Sequence, residues 1–154
     1  MRIVLVCVGK PRDPSIAAAI REYEGRAARY WPLAIHEVRE EPARSATADL
    51  VREREGARIA TQLPPSGTVV ACDERGTSMT SAEFASWLQR EREAARDVAL
   101  VIGGAYGLGA PVRDRATRTL ALAPWTLPHE LARLVLAEQL YRAGTIVRGE
   151  PYHK

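Results

Sequence analysis

The groups best suited to acid–base chemistry and to anion binding gather toward the C-terminal end of the chain. From Thr126 it reads TLPHELARLVLAEQLYRAGTIVRGEPYHK, a proline-opened amphipathic helix followed by a short tail with Tyr152, His153 and Lys154. An imidazole titrates near neutral pH and can take or give a proton, which makes His153 the first candidate for a general base. The phenol of Tyr152 can stack on a heterocycle or hydrogen-bond to it, and Arg142, Arg148 and Lys154 can hold phosphates. Within the helix, His129 and Arg133 lie four residues apart and share a face, as do Glu138 and Arg142. Taken alone, the second pair reads as a surface ion pair of little energetic value.

A second group of candidates sits on three loops: Cys72-Asp73-Glu74-Arg75-Gly76, Gly103-Gly104-Ala105-Tyr106-Gly107 and Ala123-Pro124-Trp125-Thr126-Leu127. Glycines at the second loop let backbone amides and carbonyls approach a ligand with no Cβ in the way. The run is not a P-loop, because no Gly-Lys-Ser/Thr follows, and it does not fit the G-x-G-x-x-G dinucleotide pattern. Trp125 is compatible with stacking on an adenine and equally with capping the core. From the residues alone the ligand is nucleotide-like and no more specific than that.

Positioning three such loops at one edge is the work of a parallel sheet, whose ligands bind outside the carboxyl ends of its strands. Runs of β-branched and apolar residues predict strands over Arg2–Val8, Leu33–Val38, Thr68–Cys72, Val98–Ile102 and Thr119–Leu122. Between them the pattern predicts helices over Ser15–Arg29, Ala48–Gln62, Thr80–Arg96 and Pro111–Arg118, and Pro128 falls in the first turn of the last helix. Thr80-Ser81-Ala82-Glu83 is a capping box. The fold class is therefore α/β, a mostly parallel sheet with flanking helices. Leu131, Leu134, Val135, Leu136 and Leu140 cover more than a narrow stripe, which predicts a last helix buried on two sides, one of them by a second subunit.

A length of 154 residues fits one domain, 1–154, and 46% hydrophobic against 27% charged residues makes it globular rather than disordered. No apolar run approaches the roughly 20 residues of a membrane span, and MRIVLVCVGK has no basic leader. The expected location is the cytoplasm, without membrane attachment. Cys7 and Cys72 lie in strand-like runs and read as reduced core thiols; with His36, His129 and His153 they match no ligand spacing, so no metal is expected. A net charge of +3 permits an RNA partner without requiring one.

The segments LVIGGAYGL, LALAPWTLPHELARLVLAEQLYRA and IVRGEPYHK, with the N-terminal IVLVCVGK, resemble the RlmH family. These are small SPOUT-class methyltransferases that methylate a pseudouridine of large-subunit (23S) ribosomal RNA at N3. The resemblance runs along essentially the whole chain. It implies a deep trefoil knot in the C-terminal half, a homodimer packed through the last helix, and S-adenosylmethionine held by the knotted loops. By matching position, the cofactor contacts would be Cys72, Gly103, Leu122, Ala123, Pro124, Trp125, Thr126 and Leu127. Cys72 stands where the family has leucine, and Trp125 replaces a smaller or unbranched apolar residue. His153 and Tyr152 would be catalytic, Arg142, Arg148 and Lys154 would contact RNA, and His129 and Arg133 would tie the knotted loop to the helix. The implied acceptor is an assembled ribosome. The other readings are a SPOUT enzyme acting on tRNA and a non-catalytic ribosome-binding factor.

Overall fold

A computed structural model describes residues 1–42, 44 and 46–153, the side chain of His153 excepted. Five strands, β1 (Ile3–Val8), β2 (Leu33–Val38), β3 (Thr68–Ser78), β4 (Val98–Ile102) and β5 (Arg118–Ala121), form one sheet in the order β2-β1-β4-β3-β5. Every pairing is parallel. The helices are α1 (Pro14–Ala27), α2 (Ala48–Ala60), α3 (Ser81–Glu93), α4 (Ala110–Arg113) and α5 (His129–Val147), and Pro151–His153 forms a closing 3-10 turn.

β1 and β4 are apolar at every position because they are central and covered on both faces. The period of two divides β1 between two cores. Ile3, Leu5 and Cys7 pack with Trp31, Phe84, Trp87, Leu136 and Leu140 under α1, α3 and α5, while Val4, Val6 and Val8 pack with Ile59, Leu108 and Val112 under α2 and α4. The start signals act as their chemistry dictates: Asp13 accepts from the amides of Ser15 and Ile16, and Thr80 and Glu83 close their capping box.

Four boundaries differ from the sequence reading in ways that shape the site. β3 continues to Ser78 instead of stopping at Cys72, and its register with β5 breaks between Cys72 and Thr77, both of which face Leu120. Residues 73–76 are therefore looped out of the ladder, which lifts Asp73, Glu74 and Arg75 over the sheet edge. Gly76 permits the return, since a Cβ there would stand 2.7 Å from the carbonyl carbons of Thr119 and Leu120. The short helix α4 ends at Arg113 because Arg118 is already paired with Val70 in β5. β5 itself ends at Ala121, so Leu122 joins the loop that leads to α5. Pro128 is the N-cap of α5, one residue outside the helix.

Candidate functional site

The register places Cys72, Ile102 and Leu120 side by side, so the chain leaves β3, β4 and β5 at one edge. The three loops surround a cleft of about 760 Å³, lined by Cys72, the run Gly103–Leu108, Leu122, Ala123, Trp125, Thr126, Leu127 and His129. That is ample for a nucleoside-sized ligand. Pro124 belongs to the same loop and does not line the cleft.

The glycine loop turns back on itself. Gly107 donates its amide to the Gly104 carbonyl at 3.0 Å and has φ +78°. Gly103 lies so near this turn that a Cβ would come within 2.8 Å of the Gly107 carbonyl carbon. From behind, α2 supports the loop: Arg52 donates to the Tyr106 carbonyl at 3.4 Å, and the buried carboxyl of Glu55 lies against Gly104. Glu55 accepts from the Glu41 amide through Oε1, while Oε2 has no partner among the described residues, and burial raises its pKa.

The rim is charged and aromatic. Asp73 accepts from Arg75 and from Arg113, and these hydrogen bonds, Arg75's foremost, hold its carboxyl below the usual carboxylate range. Glu74 accepts from the Thr126 hydroxyl, joining the β3 loop to the β5 loop. Trp125 is 77% exposed, so it does not cap the core, and its ring stands free at the mouth of the cleft beside the half-exposed Tyr106.

The candidates of the last helix and the tail are divided. His129 lines the cleft from the first turn of α5, with Nε2 toward Gly9. Arg133, buried one turn later, does not tie a loop to the helix. It donates to Glu24 of α1 at 2.7 and 3.2 Å and to Glu37 of β2 at 2.7 Å, fastening three elements beneath the sheet edge. Arg142 bonds Glu138 at 2.6 and 3.0 Å, and Tyr152 donates to the same carboxylate at 3.1 Å, so this pair is part of a half-buried network rather than a bare surface pair. Arg148 lies over the ring of Tyr30 at 4.6 Å. Of the remaining two candidates, the side chain of His153 and the whole of Lys154 lie outside the described residues. A hydrogen bond with Tyr23, reinforced by burial and by Glu138, raises the Tyr152 pKa, so the phenol stays protonated and serves as a donor.

Tail and cleft therefore occupy different places on one chain. Tyr152 bonds Glu138, nine residues beyond His129, which is about 14 Å along the helix from the cleft. Tyr23, Tyr30, Glu24, Glu37 and Glu55 escaped the sequence reading, because their partners are distant in sequence and no local spacing marks them.

Residues 1–153 match the family described as predicted SPOUT methyltransferase. A protein named ribosomal RNA large subunit methyltransferase H from Gemmatimonas aurantiaca is 64% identical over 154 residues, covering 100% of both chains. The chain belongs to the SPOUT methyltransferases, within the RlmH family. A relative of the same name from Anaeromyxobacter sp. (strain Fw109-5) is 51% identical, again over 100% of both chains. Among solved structures, a probable methyltransferase from Bordetella pertussis Tohama I superposes with a TM-score of 0.58 at 18% identity, covering 92% of this chain and 95% of that one, a likeness of fold.

S-adenosylmethionine is the methyl donor of SPOUT enzymes, and the cleft suits it: a cradle at Gly103 that a Cβ would fill, and a free indole at the mouth. Among the described residues no helix is long and apolar enough to cross a membrane, and no group of three His, Cys, Asp or Glu could hold a metal ion. Burial raises the thiols of Cys7 and Cys72 to about 12. Iodoacetamide should leave both cysteines of the folded protein unmodified and label both after unfolding; fast labelling of Cys72 in the native cleft would contradict this.

Proposed function

We propose that this chain, acting as one domain over 1–154, methylates N3 of a pseudouridine in large-subunit ribosomal RNA on assembled ribosomes in the cytoplasm. The observation that carries the homodimeric form of this reading is the separation of the cleft from Tyr152, which is held about 14 Å along α5 from it: a second copy can bring its tail to that cleft. The 64% identical relative named as a large-subunit rRNA methyltransferase supports the acceptor. The return of the chain from β5, at one sheet edge, to α5, packed between α1 and α3, is compatible with the deep trefoil knot that we infer for the C-terminal half.

The donor, when bound, supplies an electrophilic methyl carbon on a sulfonium. The pseudouridine N3 carries a proton and is a poor nucleophile until that proton leaves. His153 takes that proton, which frees the N3 lone pair for the methyl group that the donor would supply. Tyr152, whose single hydroxyl proton goes to Glu138, stacks on the base through its ring, and Arg142, Arg148 and Lys154 neutralise phosphates. Cys72, Gly103 and the loop Leu122–Leu127 hold the donor in line, chiefly through backbone groups, and such positioning supplies roughly 7 kcal/mol or more in favourable cases.

The test is transfer of labelled methyl to intact ribosomes, free large subunits and total tRNA, followed by identification of the nucleoside. N3-methylpseudouridine from ribosomes alone is the expected result; label in tRNA would place the acceptor elsewhere, and no label with any RNA would indicate a binding factor. His153→Ala should lower kcat at least 100-fold while S-adenosylmethionine affinity by calorimetry stays within about twofold. Equal loss of donor affinity would mean that the tail touches the donor.

A further inference from the structure

The tail is short, yet it is fastened at two points to residues outside the last helix. Gly149, at φ +69°, reverses the chain after α5 while the Glu150 amide donates to the Thr145 carbonyl at 2.9 Å. Glu150 then accepts from the hydroxyl of Tyr30, in the turn between α1 and β2, at 2.5 Å. Tyr30 is itself lodged from both sides. Its ring occupies the space left by Gly144, where a Cβ would collide with it, and the guanidinium of Arg148 covers it at 4.6 Å. The second fastening is at Tyr152, whose hydroxyl meets Glu138 at 3.1 Å and Tyr23 of α1 at 3.5 Å. Its ring lies 4.5 Å from that of Tyr141.

The residue after this double fastening is His153. A seven-residue tail held only by its covalent link to α5 would sample many orientations, and a general base delivers its rate only where its geometry is fixed in advance. We propose that Tyr30 and Glu150 are positioning residues for methyl transfer: their hydrogen bond clamps the start of the tail so that His153 reaches the neighbouring copy's cleft in one register. The inference rests on the proposed role of His153. Neither Tyr30 nor Glu150 lines the cleft, so both act through the tail. The bond itself raises the Tyr30 pKa, which keeps the phenol a donor across the neutral range.

The experiment compares Tyr30→Phe, Glu150→Ala, Glu150→Gln and the double variant Tyr30→Phe/Glu150→Ala in the full-length protein, with intact ribosomes as acceptor. Tyr30→Phe and Glu150→Ala should each lower kcat about tenfold, and the double variant no further, because both remove one shared bond. Glu150→Gln keeps an oxygen that accepts from the phenol and should stay within about threefold of the parent. Donor affinity, oligomeric state and melting midpoint should not change. The kcat–pH profile should drop in height without moving its midpoint, since the base is mispositioned rather than altered. Full kcat in Tyr30→Phe, or a loss matched by weaker donor binding or by dissociation, overturns the clamp. The two readings fail differently: full turnover in His153→Ala removes the base on which the clamp depends, whereas an inactive His153→Ala beside a fully active Tyr30→Phe removes the clamp alone.

Discussion

Gly103→Val should abolish binding of S-adenosylmethionine, weakening it at least 100-fold in calorimetry, or about 2.7 kcal/mol. The first added carbon would lie 2.8 Å from the Gly107 carbonyl carbon, 2.9 Å from its oxygen and 3.1 Å from a methyl of Leu108. The first two partners are backbone, so they yield only if the loop opens, and that loop already closes through the Gly107 amide and the Gly104 carbonyl. The β-branched side chain then projects two further methyl groups at the floor of the cleft. β4 lies below the substitution, with Ile102 near the end of a run buried at every position, so the fold should persist and the variant should melt cooperatively. Normal affinity in a folded variant would remove Gly103 from the donor site.

Arg133→Met should be the most destabilising single change on α5. Arg133 is 6% exposed. Burial opposes its charge, but the hydrogen bonds it donates to Glu24 and Glu37 outweigh that penalty and raise its pKa further. Removing the guanidinium leaves the carboxylates of half-buried Glu24 and of the more exposed Glu37 without their cation, a loss of about 1–3 kcal/mol, most of it from Glu24. Urea unfolding should show that loss, and Arg133→Met/Glu24→Gln/Glu37→Gln should recover most of it, because the stranded charges then vanish. A loss under about 1 kcal/mol for Arg133→Met would mean that solvent reaches the carboxylates and that the triad does not hold the three elements together.

This arginine also marks how far the sequence can be read. Its place on the His129 face of a helix follows from the 3.6-residue period, and so does its nearness to the site. Its partners do not follow, since Glu24 and Glu37 are separated from it by about a hundred residues and belong to elements whose packing no local pattern encodes. Trp125 is a similar case. The loop that carries it is legible from the proline and the strand before it, but whether the indole points inward or outward depends on what α5 and the sheet leave uncovered. Cys72 was legible as a strand thiol, though the structure leaves it half-buried at the cleft instead of in the core. That the strand resumes after it, with Asp73–Gly76 pushed out over the cleft, was not, because DERG reads locally as an ordinary exit loop.

The sequence by itself determined the order of strands and helices, the parallel α/β class, the helix start at Thr80, and the three loops that line one cleft. Each of these rests on interactions within a few residues: alternation of apolar side chains, side-chain caps on free amides, and the backbone freedom of glycine. Only the tertiary structure decided the strand order β2-β1-β4-β3-β5, the break in β3 over Gly76, the burial of Arg133 between two carboxylates, and the fastening of the tail to Tyr23 and Tyr30. These depend on which distant surfaces meet once the two cores have formed, and that is set by the packing of the whole chain rather than by any local segment.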